Sequence, residues 1–146
     1  PEDKGVLVAH ASIYGGTKKA AELLGEKLKA AGVEKVVVSD LARSDMAEVI
    51  EDAFRYDRMV VAAPTYDAGL FPVMEDFLNH LKAKNYSNRK VGIVENGTWA
   101  PMAAKKMTEI LATLKNVTLA ETVVTVKSTL STESEAAMDK LVAEMA

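Results

Sequence analysis

The stretch Val6-Leu7-Val8-Ala9-His10-Ala11-Ser12-Ile13-Tyr14-Gly15-Gly16-Thr17 runs from an aliphatic, β-branched segment straight into small and hydroxyl-bearing residues, and a segment of helical period follows it. Small residues at a strand-to-helix turn free several backbone N–H groups to point at one spot, and the helix N-terminus adds partial positive charge. Ser12 and Thr17 can donate hydroxyl hydrogen bonds to the same anion, for which a terminal phosphate is the natural guest. The alternative is an ordinary strand-to-helix turn that is merely rich in glycine.

Outward from this stretch the same unit repeats. Strands are expected at Val6–Ala9, Val36–Ser39, Met59–Ala63, Val91–Val94 and Val123–Val126. Several are nearly continuous aliphatic runs, which suits parallel strands covered on both faces. Between them lie helical segments. Thr17–Ala31 carries Leu24, Leu28 and Ala31 on one stripe and stops before Gly32. Asp45 with Glu48 makes a capping pair ahead of Val49, Ile50, Ala53 and Phe54. Pro72 opens a helix that buries Met74, Phe77, Leu78 and Leu81, and Pro101 opens one that buries Ala103, Met107, Ile110, Leu111 and Leu114. Thr132 with Glu135 opens the last, whose stripe is Met138, Leu141, Val142 and Met145. The alternation predicts an α/β fold, a doubly wound five-stranded parallel sheet in the order 2-1-3-4-5 with helices on both faces. Ligands of such sheets bind at the carboxyl ends of the strands, so the loops after strands one, three and four are the ones that matter.

Composition narrows the chemistry. The 146 residues suffice for one domain, with 49% apolar residues and a net charge of −3. Mild acidity and scattered lysines argue against nucleic acid as the main partner. With no cysteine, thiolate catalysis, disulfides and cysteine-ligated clusters are excluded. His10 and His80 lie on different elements without ligand spacing, so no metal site is expected. No apolar run is long enough to span a membrane, and no signal peptide is visible, which makes the cytoplasm the expected location. The N-x-[ST] matches at Asn85, Asn96 and Asn116 are then chance. The start at Pro1 suggests a domain cut from a longer protein or a processed product.

The first loop also excludes other phosphate loops. A nucleotide P-loop needs Lys directly before its Ser or Thr, whereas Lys18 follows Thr17. The dinucleotide pattern G-x-G-x-x-G is absent, because Gly15 and Gly16 are adjacent and the next glycine is Gly25.

The loop Ser12–Thr17 resembles the FMN phosphate loop of flavodoxins. Ala63-Pro64-Thr65-Tyr66-Asp67-Ala68-Gly69-Leu70-Phe71-Pro72 is similar to the second loop of the flavodoxin-like domain in A-type flavoproteins, or flavodiiron proteins, which typically read P-T-Y-N-N-G-L-F-P there. The resemblance implies that residues 1–146 are a single flavodoxin-like FMN-binding domain. It implies FMN contacts at Ser12, Ile13, Tyr14, Gly15, Gly16 and Thr17, at Pro64, Thr65, Tyr66, Asp67, Ala68 and Gly69, and in the third loop at Asn96, Gly97, Thr98 and Trp99. The second loop would hydrogen-bond the ring edge, with Tyr66 either touching the flavin or half-buried in the core. Trp99, the single tryptophan, would wall the ring or cover the sheet end. The third loop departs from the family pattern: Gly97 stands where an aromatic residue is usual, Pro101 and Met102 where glycines are, and Glu95 where a small residue is common. Asp67 and Glu95 would then put negative charge near the ring and lower its potential.

The function implied is electron transfer, with no catalytic acid, base or nucleophile in this chain. The resemblance implies delivery to a di-iron domain, absent here, that reduces oxygen or nitric oxide. It also implies a rubredoxin-like or reductase donor and a head-to-tail homodimer of the whole protein. The alternatives are a free-standing flavodoxin shuttle and a flavodoxin-like scaffold that has lost FMN. A phosphoacceptor receiver shares the topology but needs an acid ending strand three, where Ala62-Ala63-Pro64 stands.

Overall fold

In a computed structural model that describes residues 1–12, 16–66, 69–97, 102–127 and 130–146, the alternating pattern becomes a parallel sheet between two helical layers. The elements in chain order are β1 (Asp3–His10), α1 (Gly16–Ala30), β2 (Val36–Asp40), α2 (Met46–Arg55), β3 (Tyr56–Tyr66), β4 (Gly69–Leu70), α3 (Pro72–Ala83), β5 (Arg89–Asn96), α4 (Ala103–Leu111), β6 (Val117–Val126) and α5 (Thr132–Met145). The long strands lie in the order β2-β1-β3-β5-β6, all parallel. This is the expected 2-1-3-4-5 arrangement.

The expected five strands are joined by a sixth. Gly69–Leu70 folds back antiparallel onto the end of β3, pairing Thr65 with Leu70 and Tyr66 with Gly69. This pairing extends β3 to Tyr66, beyond its aliphatic run. β6 begins at Val117 rather than Val123 because Val117–Leu119 pair with Arg89–Val91 before the register shifts.

Side-chain alternation along the strands feeds two separate cores. Leu7, Ala9, Met59, Val61 and Ile93 pack with α2, α3 and α4, whereas Val6, Val8, Val60, Ala62 and Val94 pack with α1 and α5. Helix α1 ends as expected, with Gly32 at φ +101 and the Val33 amide donating to the Leu28 carbonyl at 3.1 Å. Pro72 occupies the first turn of α3, and Met74, Phe77, Leu78 and Leu81 are buried.

Three local expectations are corrected. Asp45 caps α2 through the Ala47 amide at 2.9 Å rather than through a reciprocal pair with Glu48. The last helix is capped by Ser131 and Ser134, which exchange side-chain-to-backbone bonds of 3.2 and 2.7 Å, so Thr132 and Glu135 lie inside it. α4 stops at Leu111, which leaves Leu114 beyond the helix. Pro101 lies outside the described residues. No helix among the described residues is long and apolar enough to cross a membrane.

Candidate functional site

The chain crosses from one side of the sheet to the other between β1 and β3, and this topological switch point opens at their carboxyl ends. Buried polarity gathers there. Of the four buried polar or charged side chains among the described residues, His10 ends β1, Thr17 begins α1 and Glu95 stands near the end of β5; only Ser134 is elsewhere. Burying a polar group without a partner is costly, so each of these needs a partner or a ligand.

Thr17 is 1% exposed and sits in the first turn of α1, on the α1–α5 face of the sheet. From the same face, at the end of β5, the Asn96 side-chain amide donates to the Thr17 hydroxyl oxygen across a long 3.4 Å contact. Alternation along β5 explains the meeting: Val94 belongs to the core beneath α1, and Asn96 is two residues on. Ser12 is half-buried just after β1. The first turn of α1 contains no acidic residue, so its dipole is not answered from within the helix. Ser12, Gly16, Thr17 and Asn96 are therefore brought to one end of the sheet. Ile13, Tyr14 and Gly15 lie outside the described residues.

Helix α4 is different. The Thr65 hydroxyl oxygen, from the end of β3, accepts hydrogen bonds from the Met102 and Ala103 amides at 2.8 and 3.2 Å. One carboxylate oxygen of Glu95 accepts from the Ala104 amide at 3.0 Å, and the other accepts from the Thr125 hydroxyl at 2.9 Å. Three successive amides at the start of α4 are taken by side chains of two neighbouring strands. Of the two helices that begin beside the end of β5, α1 is the one whose start suits an outside anion.

The second loop leaves β3 with Pro64 and Thr65 half-buried and Tyr66 43% exposed. The Tyr66 ring stands edge-on to Phe71, centroids 5.6 Å apart at 77°. Gly69 returns the chain against Tyr66, and Gly97 opens the third loop with its amide donating to the Val126 carbonyl at 3.0 Å. Asp67, Ala68, Thr98 and Trp99 lie outside the described residues.

His10 is 2% exposed beneath α1, and its Nδ1 has no hydrogen-bond partner. Burial pushes its pKa down; Asp40 and Glu22 oppose that shift, and Lys18 adds to it. The buried carboxylate of Glu95 and its bond to Thr125 were not expected from the sequence. The one available signal was an acid at the end of an otherwise aliphatic strand, where only a tied carboxylate is tolerated.

The sequence model of the flavodoxin domain family matches residues 7–142. The chain belongs to the flavodoxin domain family. An uncharacterised protein of Methanocaldococcus jannaschii is 29% identical to it over 104 residues, which are 70% of this flavodoxin domain and 26% of that relative. This domain thus spans about a quarter of the curated relative it matches. Among solved structures, rubredoxin:oxygen oxidoreductase of Desulfovibrio gigas superposes with a TM-score of 0.88 at 20% identity, over 97% of this chain and 35% of that one. The flavodiiron protein of Giardia intestinalis gives 0.82 at 18%, over 98% and 36%. Oxidised flavodoxin 1 of Bacillus cereus gives 0.81 at 20%, over 97% of both chains. At these identities the structural likeness establishes the shared fold.

Proposed function

We propose that this flavodoxin domain binds FMN, with the phosphate at the start of α1 and the ring against the loops after β3 and β5, and that it serves electron transfer. One observation carries the reading. At the switch point of a flavodoxin-family sheet, the buried Thr17 hydroxyl and the Asn96 amide converge on the acid-free start of α1, while the competing start of α4 is filled by the protein's own side chains. These residues fit a dianionic phosphate: hydroxyl and backbone donors, a favourable helix dipole and no carboxylate in that first turn. The same reading gives Ser12–Thr17, Pro64–Gly69 and Asn96–Trp99 as the contact residues.

When bound, FMN supplies one- and two-electron chemistry, and the chain supplies position and electrostatics. Thr17 and Asn96 would fix the phosphate end, and β4 would hold the second loop folded back on β3 against the ring. Glu95, tied to α4 and Thr125, brings a charge that is partly answered by the helix dipole.

The similar structures lend support to a reading of the domain's role. Two of the similar structures are longer flavodiiron-type proteins of which the chain matches about a third, which supports delivery of electrons to a separate di-iron domain. A rubredoxin-like or reductase donor, a homodimer of the whole protein and a cytoplasmic setting belong to the same reading. The second reading is a free-standing shuttle, favoured by the end-to-end match to Bacillus cereus flavodoxin 1.

The test is titration of the purified protein with FMN and with riboflavin, followed by flavin fluorescence. Both flavins are expected to bind, FMN more tightly. Thr17→Val should weaken FMN by about tenfold or more, the loss of a hydrogen bond to a charged group, and leave riboflavin unchanged. Failure of the parent protein to bind FMN at micromolar concentration overturns the reading.

A further inference from the structure

Met102, the residue before α4, makes no side-chain cap. An Asp or Ser at that place would cap the helix locally and on its surface. Here the capping atoms come instead from Thr65, 37 and 38 residues before the amides it binds, and from Glu95, nine residues before its amide. Glu95 is 7% exposed, so this arrangement buries a carboxylate and needs all its partners to hold it. The Ala104 amide and the Thr125 hydroxyl supply them, and the dipole of α4 favours the charge. Four hydrogen bonds of 2.8–3.2 Å therefore join the ends of β3, β5 and β6 to one helix start.

The two ring loops are the segments so joined. The second loop begins at Pro64 and Thr65, and Pro64 pairs in register with Asn96, where the third loop begins. The third loop is fixed where it starts, by the Gly97 amide on the Val126 carbonyl, and where it ends, by Met102 on Thr65. Displacement of Thr65 relative to Met102 therefore breaks bonds between the start of one loop and the end of the other.

We propose that Thr65 and Glu95 are positioning residues for the flavin ring, which fix the start of the second loop and the end of the third relative to each other through the start of α4. The inference rests on the FMN reading above and adds to it the means by which ring affinity is set. Fixing the loop ends beforehand gains affinity because those positions need not be set on binding.

Riboflavin and FMN titrations separate ring from phosphate. Glu95→Ala and Thr65→Val should each weaken both flavins by the same factor, about tenfold, leaving the ratio of the two dissociation constants unchanged. Glu95→Gln keeps an acceptor for Ala104 and a donor for Thr125, and Thr65→Ser keeps the hydroxyl, so both should restore affinity to near the parent value. The emission of Trp99, the single tryptophan, should shift in the Ala and Val variants without flavin and return to the parent spectrum in the Gln and Ser variants. Circular dichroism confirms which variants are folded, and either residue alone suffices. Unchanged affinity for both flavins in a folded Glu95→Ala or Thr65→Val protein overturns the inference, as does a loss confined to FMN. A parent protein that binds neither flavin overturns the FMN reading itself.

Discussion

Thr17 and the aromatic Tyr86 each bury a hydroxyl, yet the structure treats the two in opposite ways. Thr17 shares its oxygen with Asn96 at the start of α1, where a ligand can complete its bonding. Tyr86, 1% exposed, has a hydroxyl with no partner, and burial pushes its ionisation well above the ordinary phenol range. Its ring is what the fold uses: Phe54 stands edge-on at 5.5 Å, and the Arg89 guanidinium lies 5.2 Å from the ring centre. Deleting an unsatisfied hydroxyl while keeping the ring removes a desolvation cost, so Tyr86→Phe should stabilise the protein by about 1 kcal/mol in urea unfolding. A destabilised variant would mean that the hydroxyl is satisfied in solution. Nothing in the sequence around Tyr86 separates it from a half-exposed loop tyrosine, because its ring packs against Phe54 of α2, distant in the chain.

At the scale of elements, the amino ends of the strands are held by a different device from their carboxyl ends. The guanidinium of Arg89, at the start of β5, donates to the carbonyls of Ser87 at 2.7 Å, Phe54 at 2.5 Å and Tyr56 at 3.4 Å, while lying against the Phe54 and Tyr86 rings. It ties the end of α2 to the starts of β3 and β5. A lysine keeps the charge but cannot fork to three carbonyls or stack its plane. Arg89→Lys should therefore cost about 2 kcal/mol of stability, measured by denaturant titration, with flavin affinity unchanged because the site lies at the other end of the sheet. The sequence shows β5 by its aliphatic run, but it hides the first half of β6. Between Leu119 and Val123 three residues stand opposite Gly92 alone, which breaks the alternation a strand needs. The break is held by Glu144 of α5, whose carboxylate accepts the amides of Glu121 at 2.7 Å and Thr122 at 3.2 Å. A Cβ at Gly92 would meet the end of the Leu141 side chain at 2.9 Å, so a larger residue there needs that side chain to shift.

For the whole molecule the pH dependence of stability has a definite sign at His10. Burial lowers its pKa from 6.5, against the opposing pull of Asp40 and Glu22. As pH falls the unfolded chain takes up the proton first, so stability is full above 6.5 and drains away below it, toward the folded-state value. Urea unfolding from about pH 8 down to about pH 5 should show this decline, and His10→Gln should flatten the part between pH 6.5 and the onset of carboxylate titration. A slope unchanged in that variant would place the proton elsewhere. On the same scale the contrast between sequence and structure is physical. Periodicity, glycine and proline placement and the run of small and hydroxyl residues after β1 act between near neighbours, and by themselves they determined the alternating elements and the small-residue loop after β1, from which general rules for such alternation favoured the strand order. Only the tertiary structure decided which helix start stays suited to an anion. That depends on side chains from β3 and β5 meeting amides of α4 across the sheet, and the Thr65 and Glu95 bonds exist only once parallel strands bring 65, 95, 104 and 125 to one end.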